Sequence, residues 1–135
     1  MENGRLEKRK KHAAGRFAYD GLDRILHEKA RLGIMTSLLT HTEGLLFNDL
    51  KELCSLTDGN LSRHIQVLNE SGLVEVWKGY EQKRPQTLCR LTPEGRKRFM
   101  DYLKILAKLI QDAQPATTRS SASSRQDVPP GWVPV

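Results

Sequence analysis

The apolar positions along the chain change their period several times, and each change marks an element. From Leu22 they recur at helical spacing: Leu22, Ile25 and Leu26, then Ala30, Ile34, Leu38 and Leu39. This pattern predicts one kinked helix or two consecutive helices ending near Thr40. After the loop "HTEGL", Leu45 to Phe47 reads as a short extended piece. Asn48 is expected to cap the next helix, with Phe47 in the apolar position before the cap and Leu50 and Leu53 on the inner face. That helix is expected to end around Cys54. Thr57 is the expected cap of the following one, in which Leu61, Ile65 and Leu68 form an inward stripe at i, i+4 and i+7. Gly72 is its stop.

At Leu73 the period switches to two. "LVEVWK" alternates and fits a strand, "TLCRL" fits a second, and the polar stretch "GYEQKRPQ" between them makes a hairpin with a long tip. Thr92-Pro93-Glu94 is a strong helix opening: a capping hydroxyl, proline at the first helical position, then an acid. The helix is expected to run to about Ala113. Residues 1–20 show no sustained apolar period and read as a flexible basic arm. Residues 114–135, rich in Pro, Ser and Thr, read as a disordered tail. One domain, 21–113, is left between them. Its class is mainly α (α+β): a winged helix-turn-helix with a two-stranded β-hairpin wing and a long C-terminal helix.

Charge adds a partner class. The net charge is +6 over 135 residues. Residues 1–21 hold six Lys/Arg against three Asp/Glu, whereas residues 22–113 hold fourteen against twelve. A basic arm beside a nearly neutral domain suits a polyanion, most simply nucleic acid; the plainer alternative is that the lysines and arginines only maintain solubility. The two cysteines, Cys54 and Cys89, are too few for a disulfide framework and lack zinc spacing. No apolar run is long enough for a signal peptide or a membrane span, so the expected location is cytoplasmic.

The helix opening in "LTDGNLSRHIQVL" carries the functional reading. Two helices joined by a three- or four-residue turn form the unit whose second helix enters the DNA major groove. Once Leu61, Ile65 and Leu68 face inward, Asn60, Ser62, Arg63 and Gln66 remain outside. Arg can pair bidentately with guanine, and Asn or Gln with adenine. Thr57 and Gly59 lie at the helix N-terminus, which favours an anion. His64 is expected at a phosphate or in solvent. Lys83 and Arg84 in the wing are expected at the DNA backbone or the minor groove. Any amphipathic helix has a polar face. The turn spacing, hairpin and basic tip together are what favour double-stranded DNA as the partner.

Residues 22–112 also resemble the winged-helix regulators of the MarR/ArsR type, most closely the small bacterial and archaeal ones. The matching stretches are "LTDGNLSRHIQVLNESGLVEV", "RP" in the wing, and "LTPEGRKRF" opening the last helix. The resemblance implies a dimeric DNA-binding transcriptional regulator with the terminal helix in the dimer interface. The terminal helix points the same way independently. Phe99, Leu103, Leu106 and Ile110 form a stripe that Tyr102 and Leu109 widen, too long for so small a domain to cover alone. A second copy is therefore expected, in keeping with the two-fold symmetry of most oligomers. The competing possibility is that the stripe packs wholly on the first helix of its own chain.

No nucleophile triad, phosphate-cradling glycine loop or carboxylate pair stands out, so neither an enzyme nor a cofactor is expected. His12, His27 and His41 are scattered. Some ArsR-like relatives sense metal through paired thiols before the turn; here Cys54 stands alone, and both cysteines read as small core residues. Trp77 reads as packing. Trp132, in "PPGWVPV", is either a docking peptide or an inert end. The alternative function is a winged-helix protein-interaction adaptor, which a more apolar or acidic second helix would favour.

Overall fold

The computed structural model describes residues 15–115 and 128–135. The expected arm up to residue 14, and the tail from 116 to 127, lie outside the described residues. The first helix, α1 (Lys29–Thr40), starts later than its apolar spacing suggests. Residues 15–28 run in turns, and just before α1 Asp23 satisfies the backbone locally. Its Oδ1 accepts from the amides of Ile25 at 2.9 Å and Leu26 at 3.3 Å. Leu26 is still fully buried, so a core residue in a turn mimics the helical period. Glu28 caps α1 by accepting from the Arg31 amide at 3.0 Å.

β1 (Leu45–Leu46) leads directly into α2 (Phe47–Cys54). Asn48 therefore lies inside the first turn rather than at the cap, which is Leu46 without a side-chain bond. Because β1 pairs with the sheet up to Leu46, the chain is already held at the point where the helix begins. Ser55, in the left-handed region at φ 55°, ends α2. After the three-residue turn Ser55–Thr57, α3 (Asp58–Glu70) opens on the Thr57 hydroxyl, which accepts from the Asn60 amide at 3.2 Å. Gly72, at φ 79°, turns the chain out of α3.

β2 (Val74–Glu81) and β3 (Arg84–Leu91) pair from Val74↔Leu91 to Glu81↔Arg84. The expected long tip is thus mostly strand. Only Gln82 and Lys83 turn, at φ 52° and 66°, the two-residue geometry that matches strand twist. Pro85 reads in sequence as a break. However, β1 reaches β3 only at Leu88 and Cys89, and beyond them β3 is an edge where proline is tolerated. The sheet has three strands in the order β1-β3-β2, one more than the expected hairpin.

α4 (Pro93–Asp112) opens as its sequence predicts. The Thr92 hydroxyl accepts from the Gly95 amide at 2.8 Å and donates to the Gly72 carbonyl at 2.7 Å, which ties α4 to the α3–β2 turn. The core between helices and sheet is built on Ile34, Leu38, Leu50, Leu61, Leu68 and Phe99. Cys89 is fully buried there, and burial pushes its thiol up to about 11, so it is an inert core residue. No helix among the described residues is long and apolar enough to cross a membrane.

Candidate nucleic-acid interface

α3 divides cleanly into two faces. Leu61, His64, Ile65 and Leu68 are buried. Thr57, Gly59, Asn60, Ser62, Arg63 and Gln66 are all exposed. The outward groups are lightly held: Arg63 Nη2 donates to Asn60 Oδ1 at a long 3.4 Å, and Gln66 Nε2 donates to Glu70 Oε2 at 3.0 Å. Both bonds are solvent-exposed, so exchanging them for base edges costs little desolvation. At the start of α3 the Asp58 carboxylate would repel an approaching phosphate, but Lys51 pairs with it at 2.9 Å. A Cβ built on Gly59 meets nothing within 4 Å, so the backbone there is open to a close partner.

His64 does not stand in solvent or on this outer face. It is only 5% exposed. Its position three residues after Leu61 and four before Leu68 puts it in the inward stripe. Arg31 Nε donates to its Nδ1 at 3.2 Å, and Glu28 Oε2 stands 3.9 Å from its Nε2. Burial holds its pKa below the usual histidine value; the Arg31 and Arg63 charges act the same way, and Glu28 opposes them.

Between α3 and the wing lies an open cleft of about 510 Å³. Ile65, Val76 and Pro85 give it apolar walls; Asn48, Ser62, Gln66, Lys78, Gln86 and Thr87 supply polar groups. Three of these, Asn48, Lys78 and Thr87, are not among the DNA-contacting residues expected from the sequence. The signal for Lys78 was in the strand: Val74 and Val76 face the core side, and alternation puts Lys78 next on that face. Thr87 is its cross-strand partner. Lys83 occupies the hairpin turn, and Arg84 sits opposite Glu81 in the register. Both are exposed.

The stripe expected along α4 splits. Phe99 and Tyr102 are 1% and 2% exposed and belong to the chain's own core, and the Tyr102 hydroxyl is hydrogen-bonded to His27 Nδ1 at 2.6 Å. Leu103 and Leu106 are partly buried against that core, and Leu109 is half-buried. Ile110 stands 63% exposed. The segment before α1 covers one side of the helix. Arg98 donates to Asp23 from Nε and Nη2 at 3.0 and 2.8 Å, and the Tyr19 hydroxyl donates to Asp112 at 2.9 Å. What remains open is a ridge of Met100, Leu103, Ala107 and Ile110, spaced three, four and three residues apart.

Cys54 is half-buried, its sulfur 3.7 Å from the Ser37 hydroxyl. Trp77 lies half out of the sheet beneath Arg90, which is itself held by Glu75 at 2.7 Å. Trp132 is exposed in a segment without regular structure. Among the described residues, no group of three or more His, Cys, Asp and Glu is placed to hold a metal ion.

Comparison with known proteins agrees with this geometry. A family model described as a winged helix DNA-binding domain matches residues 30–110. An uncharacterised protein of Methanocaldococcus jannaschii is 35% identical over 91 residues, which span 67% of this chain and 98% of that relative. The structure of a transcriptional regulator homologue protein from Pyrococcus horikoshii superposes with a TM-score of 0.63 at 34% identity, covering 67% of this chain and 88% of that one. MepR of S. aureus, solved in complex with DNA, superposes with a TM-score of 0.59 over 81% of this chain and 88% of its own. At 20% identity, that last likeness is one of fold.

Proposed function

The chain belongs to the winged helix DNA-binding domain family, and from that premise we propose that it is a MarR-like transcriptional regulator that reads double-stranded DNA sequence as a dimer. α3 lies in the major groove, where Asn60, Arg63 and Gln66 meet base edges and Thr57, Gly59 and Ser62 meet the backbone. The wing turn, with Lys83 and Arg84, reaches the backbone or the minor groove. Asn48, Lys78 and Thr87 line the track along which a phosphate strand passes between helix and wing. The observation that carries this reading is the two-faced α3: an apolar stripe and one buried histidine hold it in place, and every polar group suited to base contact is left outside.

The open ridge on α4 supports the dimer. Spacing of three, four and three residues is that of a helical seam that pairs with its own copy. Two such copies present two α3 helices about one duplex turn apart, roughly 34 Å, so the preferred site is an inverted repeat. The basic segment preceding residue 15 adds sequence-independent attraction to phosphates.

Selection of bound sequences from random duplex DNA with the purified protein tests the reading. The expected result is an inverted repeat of short half-sites. Enrichment of no sequence, with binding that depends on salt alone, overturns sequence readout. It would leave the adaptor alternative in place.

A further inference from the structure

One polar side chain interrupts the inward stripe of α3, and it is joined to a single arginine. An apolar residue at His64 would serve the core as well, since leucines flank it on the same stripe at positions 61 and 68. Instead, His64 Nδ1 accepts from Arg31 Nε at 3.2 Å. The Arg31 guanidinium also donates from Nη1 to the Ile25 carbonyl at 3.2 Å, in the turn before α1. The Arg31 amide donates to the Glu28 carboxylate that caps α1. One residue therefore joins the pre-α1 turn, the N-terminus of α1 and the middle of α3.

We propose that Arg31 is a positioning residue for DNA recognition, acting through His64 to fix the rotation of α3 about its own axis. The inference rests on the placement of α3 in the major groove. Apolar packing is non-directional and tolerates small rotations. A hydrogen bond to a ring nitrogen weakens steeply as its angle opens. With side chains a helix is about 10–12 Å across, so a rotation of roughly 10° moves the outer tips by about 1 Å. That displacement is enough to misalign a bidentate base contact. Arg63, next in sequence to His64, and Asn60 and Gln66 would be shifted together.

The joint requires His64 to be neutral, because Nδ1 must be the acceptor. The charged groups around the ring are Glu28 at the cap of α1, Arg31 on α1 and Arg63 on α3. Protonation removes the acceptor and places a cation beside two arginines. Burial already holds the pKa below the ordinary value of 6.5, so the sign is fixed. The joint is intact above that value and is lost as the pH falls through the lower folded one.

The test uses the full chain and a duplex selected by the wild type. The ratio of its affinity for that duplex to its affinity for a scrambled one is measured at constant ionic strength from pH 7.5 to 5. For the wild type the ratio should be high at neutral pH and fall in acid. Arg31→Gln should lower it about tenfold at neutral pH and flatten its pH dependence, with non-specific affinity nearly kept. His64→Asn places an amide oxygen near the Nδ1 position, so it should restore a high ratio that no longer falls in acid. A wild-type ratio and pH profile in Arg31→Gln overturns the inference, as does an unchanged acid loss in His64→Asn. If Arg31→Gln fails to fold by circular dichroism, the His64→Asn profile alone decides. If the wild type prefers no duplex at all, the DNA reading fails first and takes this inference with it.

Discussion

Gly59 and Gly95 both sit inside helices, and the structure assigns opposite signs to the same substitution at the two. On intrinsic propensity alone, Gly→Ala in a helix interior stabilises by about 1 kcal/mol. At Gly95 in α4, a Cβ would fall on the Leu73 carbonyl oxygen, 2.8 Å from its carbon and 3.0 Å from the Leu73 Cα. These are backbone atoms, with no rotamer to turn away. They are also pinned: the Leu73 carbonyl accepts from the Thr92 amide at 3.1 Å, and the Leu73 amide donates to the Leu68 carbonyl at 2.9 Å. The cost therefore belongs at the upper end of overpacking, about 3 kcal/mol, and exceeds the propensity gain. A net loss of about 2 kcal/mol corresponds to a melting temperature lower by roughly 8–16 °C for a domain near this size. At Gly59 in α3 nothing lies within 4 Å, so Gly59→Ala should raise the melting temperature by a few degrees. On the proposed interface it should also weaken DNA binding, because the added methyl group would stand between the backbone and the phosphate it is proposed to approach. Thermal unfolding followed by circular dichroism measures both stability changes, and titration with a selected duplex measures the affinity. A Gly95→Ala protein as stable as wild type, or more so, would refute the close-approach argument, and unimpaired DNA affinity in Gly59→Ala would refute the phosphate placement.

Arg63→Ala should cost about 1–3 kcal/mol on the selected site and relax preference at one base position, with little change in melting temperature. Equal weakening on every duplex would place Arg63 on phosphate instead. Replacing Lys78, Lys83 and Arg84 together by alanine should make the salt dependence of binding shallower by up to three phosphate equivalents, roughly 0.9 each in log–log slope; an unchanged slope would put the cleft and wing away from DNA. Ile110→Asp adds a charge to the open ridge of α4 without touching the domain's own core, so light scattering should report monomers and circular dichroism an intact fold. A dimer that survives this change pairs through another surface.

The elements legible in the sequence are those fixed by local rules. Thr57 and Thr92 cap the helices they were expected to cap, and Pro93 sits at a first helical position. The three-residue turn between α2 and α3 follows from spacing. Elements set by distant partners were not legible. Leu22, Ile25 and Leu26 have helical spacing, yet Asp23 turns the backbone there while its other carboxylate oxygen holds Arg98, 75 residues away. The wing extends through Pro85 because β1 leaves that part of β3 unpaired on one side, a fact of sheet order rather than of local sequence. Gln82 and Lys83 adopt positive φ without the glycine or asparagine that usually announces such a turn.

The α4 stripe shows the same limit at the functional surface. Periodicity reports that a helix face is buried but not what buries it, and α4 has apolar residues on more than one face. Phe99 and Tyr102 turn into the core, while the pre-α1 segment crosses Arg98 and Asp112 on another side. Neither cover can be deduced from α4, because His27, Asp23 and Tyr19 lie beyond the first helix of the domain. A partner surface is what remains after the chain has covered itself. Subtracting those contacts removes Phe99 and Tyr102 and brings in Met100 and Ala107, which are exposed beside Leu103 and Ile110. The corrected ridge is narrower than the original stripe and closer to a two-helix seam. Burying it against a copy of itself would leave the core intact in each protomer, so assembly and folding become separable steps.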